Sequence, residues 1–120
     1  MTLTRLGENK DIVLVEHEGV LIADVPSALD LMATVQYETG CHRAIVYKDA
    51  VSRDFFILST GLAGEILQKY VNHHFQLAMV GDYSGYTSEP LQAFIRESNR
   101  GRHFFFVETL EKAIEKLSKV

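Results

Sequence analysis

Two hydroxyls and two glycines stand together in STGLAGEILQKYVNHH, residues 59–74. Ser59 and Thr60 precede Gly61, and Gly64 follows within a turn. Serine and threonine cap helices, and Gly61 leaves the first helical N–H groups uncovered. A helix N-terminus carries partial positive charge and free donors, so it attracts an anion. The chemistry on offer is anion binding, or addition of a phosphate to Thr60 or Ser59 that the same charge would hold. Gly64 has a second reading, as the site where the helix packs closely on a sheet.

The surrounding pattern supplies the scaffold. Ile12 to Val15 is an apolar, β-branched run, "EHEG" (16–19) is a turn signal, and Val20 to Val25 is a second run. Together they predict a hairpin, with Thr2–Leu6 as a further edge strand. Asp24, Pro26 and Ser27 mark a helix start, and Ser27 with Asp30 has the spacing of a capping box. That helix is predicted to run to about Glu38, with Gly40 as its cap. "RAIVYK" (43–48), "QLAMV" (76–80) and "HFFFV" (103–107) read as strands. Helical spacing joins Leu62, Ile66, Leu67, Tyr70 and Val71, then Leu91, Phe94, Ile95 and Ser98, then Leu110, Ala113, Ile114 and Leu117. The predicted order is β-β-α-β-α-β-α-β-α. It implies one α/β domain over residues 1–120, with a mostly parallel sheet of five strands (six with Thr2–Leu6), an antiparallel N-terminal strand or hairpin, and four helices.

In such a sheet, sites gather at the carboxyl ends of the strands. That edge collects Asp24, Lys48, Asp49, Asp54, Ser59, Thr60, Asp82, Tyr83, Tyr86 and Glu108. Asp24 also reads as a helix cap, and Asp82 in "GDYSGY" as a turn residue. A small-molecule or anion pocket on this edge would use Lys48 and the Gly61 amide. Cys41 and His42 are adjacent at the opposite edge, where sequence neighbours point apart, which disfavours a Cys–His nucleophile. His73 and His74 project about 100° apart on a helix, a poor start for a metal site. No metal and no cofactor is expected.

Totals narrow the classes. The chain has 120 residues, 47% apolar, with a formal net charge of −4. An acidic balance argues against a nucleic-acid partner. One cysteine excludes an internal disulfide. The N-terminal "MTLTRLGENKD" has no apolar signal core, and no run approaches a membrane span, so a cytoplasmic location without membrane contact is expected. Glycine-rich phosphate loops, nucleophile elbows and HExxH are not found, so the prior shifts away from an enzyme.

The element order and "LSTGLAGEIL" resemble the STAS domains, the anti-sigma-factor antagonists. Their motif has the form D-S-[ST]-G-[LV], and its second hydroxyl is phosphorylated by a partner kinase. Thr60 takes that place, Ser59 precedes it, Gly61 and Leu62 follow, and Leu58 stands where the motif has Asp. The phrases "DFFILSTGLAGEILQK", "LAMVGDYSGY" and "FIRESNRGRHFFFV" are similar to those of a family of small bacterial proteins of unassigned function. The STAS resemblance implies a non-enzymatic regulatory module that binds a protein partner around the second helix's start and the 49–58 connection. Thr60, or Ser59, would be the regulated hydroxyl, switching binding by repulsion from an acidic partner surface. It also implies helices mainly on one face of the sheet. The bared apolar strands would then be covered by a partner or by a second copy, giving a homodimer.

Overall fold

A computed structural model describes residues 1–120. Five strands, β1 (Thr2–Leu6), β2 (Ile12–Glu16), β3 (Arg43–Tyr47), β4 (Gln76–Val80) and β5 (Phe104–Val107), lie side by side in chain order. β1 is antiparallel to β2, with Leu3 opposite Val15; the remaining pairs are parallel. Between them run α1 (Val25–Thr39), α2 (Leu62–Asn72) and α3 (Glu89–Arg100), and α4 (Leu110–Ser118) closes the chain. The predicted order holds, but its hairpin does not. β2 pairs with the N-terminal Thr2–Leu6, not with Val20–Val25. Of that second run only Ile22 makes a bridge, to Val51. The reason is length: Asp24 already caps α1, so no room remains for a strand.

The alternation of side chains divides the sheet into two faces. Val13, Val15, Ala44, Val46, Leu77, Met79, Phe104 and Phe106 face one way and meet α1, α2 and α3. Strands added in one direction by right-handed crossovers must put those helices on the same face. Ile12, Leu14, Ile45, Ala78, Val80, Phe105 and Val107 face the other way and meet Ala113 and Leu117 of α4. The second face is therefore not bare. Phe105 is 2% exposed and Ile45 fully buried beneath α4, so the apolar surface on which a homodimer was expected is already covered from within the chain.

Local chemistry explains the helix ends. The Asp24 carboxylate accepts from the Ser27 N–H at 2.8 Å, and the Ser27 hydroxyl oxygen accepts in turn from the Asp24 N–H at 3.0 Å. The capping box thus joins Asp24 to Ser27, and not Ser27 to Asp30, because α1 begins at Val25 and Ser27 is already its third residue. Those Ser27 bonds hold the Asp24 carboxyl below its usual range. Gly40 closes α1 in the left-handed conformation at φ 73°.

Tyr70 is the largest fully buried side chain. From α2 it donates to the Ala28 carbonyl of α1 at 2.8 Å, and its ring meets Phe75 and Phe104 edge-on. Burial pushes its hydroxyl well above the ordinary tyrosine range. A raised folded-state value favours the protonated form, so stability is fully present below the unfolded value near pH 10. It should fall above that pH by about 1.4 kcal/mol per pH unit for this group. Urea titrations between pH 8 and 11 should show the fall, with a smaller slope for Tyr70→Phe.

Candidate functional site at the carboxyl edge

The connection from β3 to α2 is built from three short 3-10 turns, Lys48–Ala50, Arg53–Phe56 and Leu58–Thr60. They fold over the carboxyl ends of the strands and define the site. Ser52 caps the second turn by accepting from the Asp54 N–H at 3.3 Å. Phe55 and Phe56 anchor it in the core, which leaves Arg53, Asp54 and Ile57 pointing to water.

Lys48 stands at the centre. Its Nζ lies 4.5 Å from the ring centre of Tyr86, 5.3 Å from Tyr83 and 5.8 Å from Phe56. It donates to the Asp82 carbonyl at 2.7 Å. Tyr86 stacks on Phe56 at 5.3 Å and 21°. The Tyr83 hydroxyl donates to the Met79 carbonyl at 2.8 Å, and burial raises it above the ordinary tyrosine range, helped by Tyr86. The Asp82 carboxylate accepts from the Ser84 N–H at 2.9 Å. The Ser84 bonds, with a smaller contribution from the Lys48 charge, hold it below its usual value. Three rings and a carbonyl hold the ammonium in place as a cation–π contact. Gly81 makes this possible, because a Cβ there would fall 2.5 Å from Lys48 Cβ.

Two open depressions meet across the Phe56–Tyr86 stack. One, of about 490 Å³, is lined by Val20, Lys48, Asp49 and Arg53 among others. The other, of about 410 Å³, is lined by Ile57, Thr87 and Leu91 among others. Val20 and Ile57, 51% and 50% exposed, are thus large aliphatic side chains in water on either side of the aromatic wall.

Ser59 and Thr60 are both exposed. The Thr60 hydroxyl donates to the Ile57 carbonyl at 2.8 Å, sharing its proton with the Asp54 carbonyl at 3.0 Å. Its oxygen accepts from the Leu62 N–H at 3.2 Å. Gly61 adopts φ 78°, the left-handed bend that turns the 3-10 segment into α2. Its own N–H donates to the Leu58 carbonyl at 3.0 Å, so it is not a free ligand contact, and the predicted pocket of Lys48 with the Gly61 amide is not formed. Gly64 is also corrected: a Cβ there would meet open space, so it is no packing glycine. Leu58 packs against the core.

The predicted residues fall into three groups. Lys48 and Asp82 share the aromatic cluster. Asp54, Ser59, Thr60 and Gly61 share the 3-10 turns. Asp24 stands apart as the α1 cap. Phe56 reads as simple core from sequence, yet it is the wall of the site. Its legible partners are the two tyrosines three residues apart in "GDYSGY".

Charge is sorted across the molecule. All four helices follow a strand and run back against it, so their N-termini meet the carboxyl edge. Glu65, Glu89 and Glu111 occupy the first turns of α2, α3 and α4, and Lys69, Arg100 and Lys116 the last turns. This is the arrangement that helix dipoles favour. It puts Glu65, Glu89 and Glu111 on the carboxyl edge, where Asp49 and Asp82 stand beside Lys48, and Lys69, Arg100 and Lys116 toward the opposite edge. Cys41, His42, His73 and His74 are brought together at that opposite edge. No His, Cys, Asp or Glu cluster of three forms a metal-ligating group.

The family model for a domain of unknown function, DUF4180, matches residues 7–117. The chain belongs to the DUF4180 family. No curated protein matches this DUF4180 domain. Among solved structures, a candidate anti-sigma factor antagonist from Thermotoga maritima is similar to it at 17% identity with a TM-score of 0.44. The similarity spans 90% of this chain and 88% of that one. The DUF4180 fold described above rests on the domain's own strand order and register. No helix in it is long and apolar enough to cross a membrane.

Proposed function

We propose that this DUF4180 domain is a regulatory protein-interaction module that works without catalysis, and that its partner docks on the carboxyl edge over the Lys48 cluster. The observation that carries this reading is the pair of exposed aliphatic side chains, Val20 and Ile57, flanking the Phe56–Tyr86 stack. An apolar centre with a rim of mixed charge is the anatomy of a binding surface.

Thr60 is the switch in this reading. Its hydroxyl proton ties the Ile57 carbonyl and so fixes the turn that presents the Ile57 side chain. A phosphate on that oxygen removes the proton from both carbonyls. It also adds a charge of about −1.5 to −2 close to Asp54 and Glu65. The turn then rearranges, Ile57 is withdrawn, and the partner is released. Ser59, one residue earlier and equally exposed, is the secondary candidate.

Incubation with a kinase fraction from the organism of origin, followed by mass spectrometry, should find phosphate at Thr60 or Ser59. Thr60→Glu should lower partner affinity at least tenfold. No modification at either hydroxyl, together with unchanged capture by Thr60→Glu, rejects the switch.

A further inference from the structure

A cleft of about 620 Å³ lies at the opposite edge from the docking surface. Three connections converge on it: β1 to β2, α1 to β3, and α2 to β4. They bring Arg5, Lys10 and Arg43 to its walls, with the imidazoles of His42, His73 and His74. Asp11 is the one carboxylate in the lining, and it is spent on Arg43 at 2.9 Å. The Arg43 guanidinium also donates to the Val120 carbonyl. Arg5 is fixed by donating to the Thr39 carbonyl at 2.7 Å. Cys41 is the one hydrophobic residue of the lining.

Backbone geometry marks the same place. The two non-glycine residues with positive φ are Lys10 at 56° and His74 at 55°, and both line this cleft. His74 takes this conformation as the residue after the α2 cap, where its N–H donates to the Val71 carbonyl and the Phe75 N–H donates to the Tyr70 carbonyl. Lys10 takes it at the end of the β1–β2 turn, where its N–H donates to the Gly7 carbonyl, and the two turns place both residues in the cleft lining.

The cations have a bland role to set against this. α1 and α2 end at the cleft, and cations offset helix C-termini. Each helix end carries only about half a negative charge. Arg43 is already matched by Asp11, so Arg5 and Lys10 are the cations of the lining that remain for a ligand.

We infer that the amino-edge cleft binds a small, multiply charged phosphate compound, held between Lys10 and Arg5 on one wall and Arg43 with the imidazoles on the other. The cleft is concave and short. A compact polyphosphate or sugar-phosphate class of ligand fits it better than an extended single strand of nucleic acid. The inference does not depend on the docking surface, and either can fail without the other.

Isothermal titration of the full chain with inorganic pyrophosphate tests it, in parallel with citrate. Wild-type protein should bind pyrophosphate, more weakly as salt rises, and prefer it to citrate. Lys10→Gly removes the ammonium while suiting the left-handed backbone, so it keeps the fold, and it should weaken binding at least tenfold. Arg5→Gln should do likewise. Lys112→Ala, the same loss of charge at the far end of the molecule, should leave binding within twofold. No binding of pyrophosphate by the wild type, a preference for citrate, or equal losses in Lys10→Gly and Lys112→Ala would each overturn the assignment.

Discussion

Tyr70→Ala is expected to cost about 3–5 kcal/mol of folding stability, the range for removing a buried aromatic ring. That is about a fifth or more of what a domain commonly has. The ring is fully buried between α1, α2 and the sheet. It touches Phe75 and Phe104, with centroids at 4.9 and 5.9 Å. Truncation leaves a cavity that rigid strands β4 and β5 cannot close. Tyr70→Phe separates packing from hydrogen bonding. It keeps the ring and loses only the bond to the Ala28 carbonyl, so about 1 kcal/mol should go. Urea denaturation of both variants measures the difference. Equal costs would show that the hydrogen bond, and not the ring, ties α2 to α1.

Gly81→Ala is the second large effect, and it acts on the site as well as on stability. The added Cβ would lie 2.5 Å from Lys48 Cβ and 2.9 Å from Lys48 Cδ. The near atom is the root of the side chain, which cannot swing away as a tip can. Either the end of β3 moves or Lys48 leaves its rings. Overpacking of this kind costs about 1–3 kcal/mol. The tyrosine signal in near-ultraviolet circular dichroism should fall as Tyr83 and Tyr86 lose their fixed surroundings. Lys48→Gly removes the obstructing atoms, so the double variant should recover part of the loss, a positive coupling between contacting sites. Additive costs would mean that Gly81 is needed for some other reason.

The scaffold was legible where a period is long enough to count. "RAIVYK", "QLAMV" and "HFFFV" are apolar on both faces, as strands covered on both sides must be. Gly40 ends the helix it was expected to end. The N-terminal pairing was misread because Val20–Val25 is a longer apolar run than Thr2–Leu6, which has only two apolar residues, Leu3 and Leu6. Leu21 and Ile22 look strand-like, but only Ala23 separates them from the Asp24 cap. The 3-10 turns between Lys48 and Thr60 carry no periodic signature at all, since each closes within three or four residues.

The candidate site was half legible for a related reason. The carboxyl-edge rule placed Lys48, Asp82 and Thr60 correctly on one rim. That Lys48 is held by Phe56, Tyr83 and Tyr86 depends on contacts between positions up to 38 apart, which no local pattern encodes. Cys41, His42, His73 and His74 were read as two separate pairs. β3 and β4 are neighbours, and each pair sits just before one of them, so the fold makes one cleft of both.

Partner capture from a lysate of the organism of origin, with wild type, Ile57→Asp and Lys10→Gly as baits, tests the docking surface most directly. Ile57 is exposed, so the fold tolerates the change. The account predicts an interactor retained by wild type and by Lys10→Gly and lost, at least tenfold, by Ile57→Asp. An interactor that survives Ile57→Asp but is lost with Lys10→Gly would place the docking surface on the wrong edge of the sheet and contradict the account.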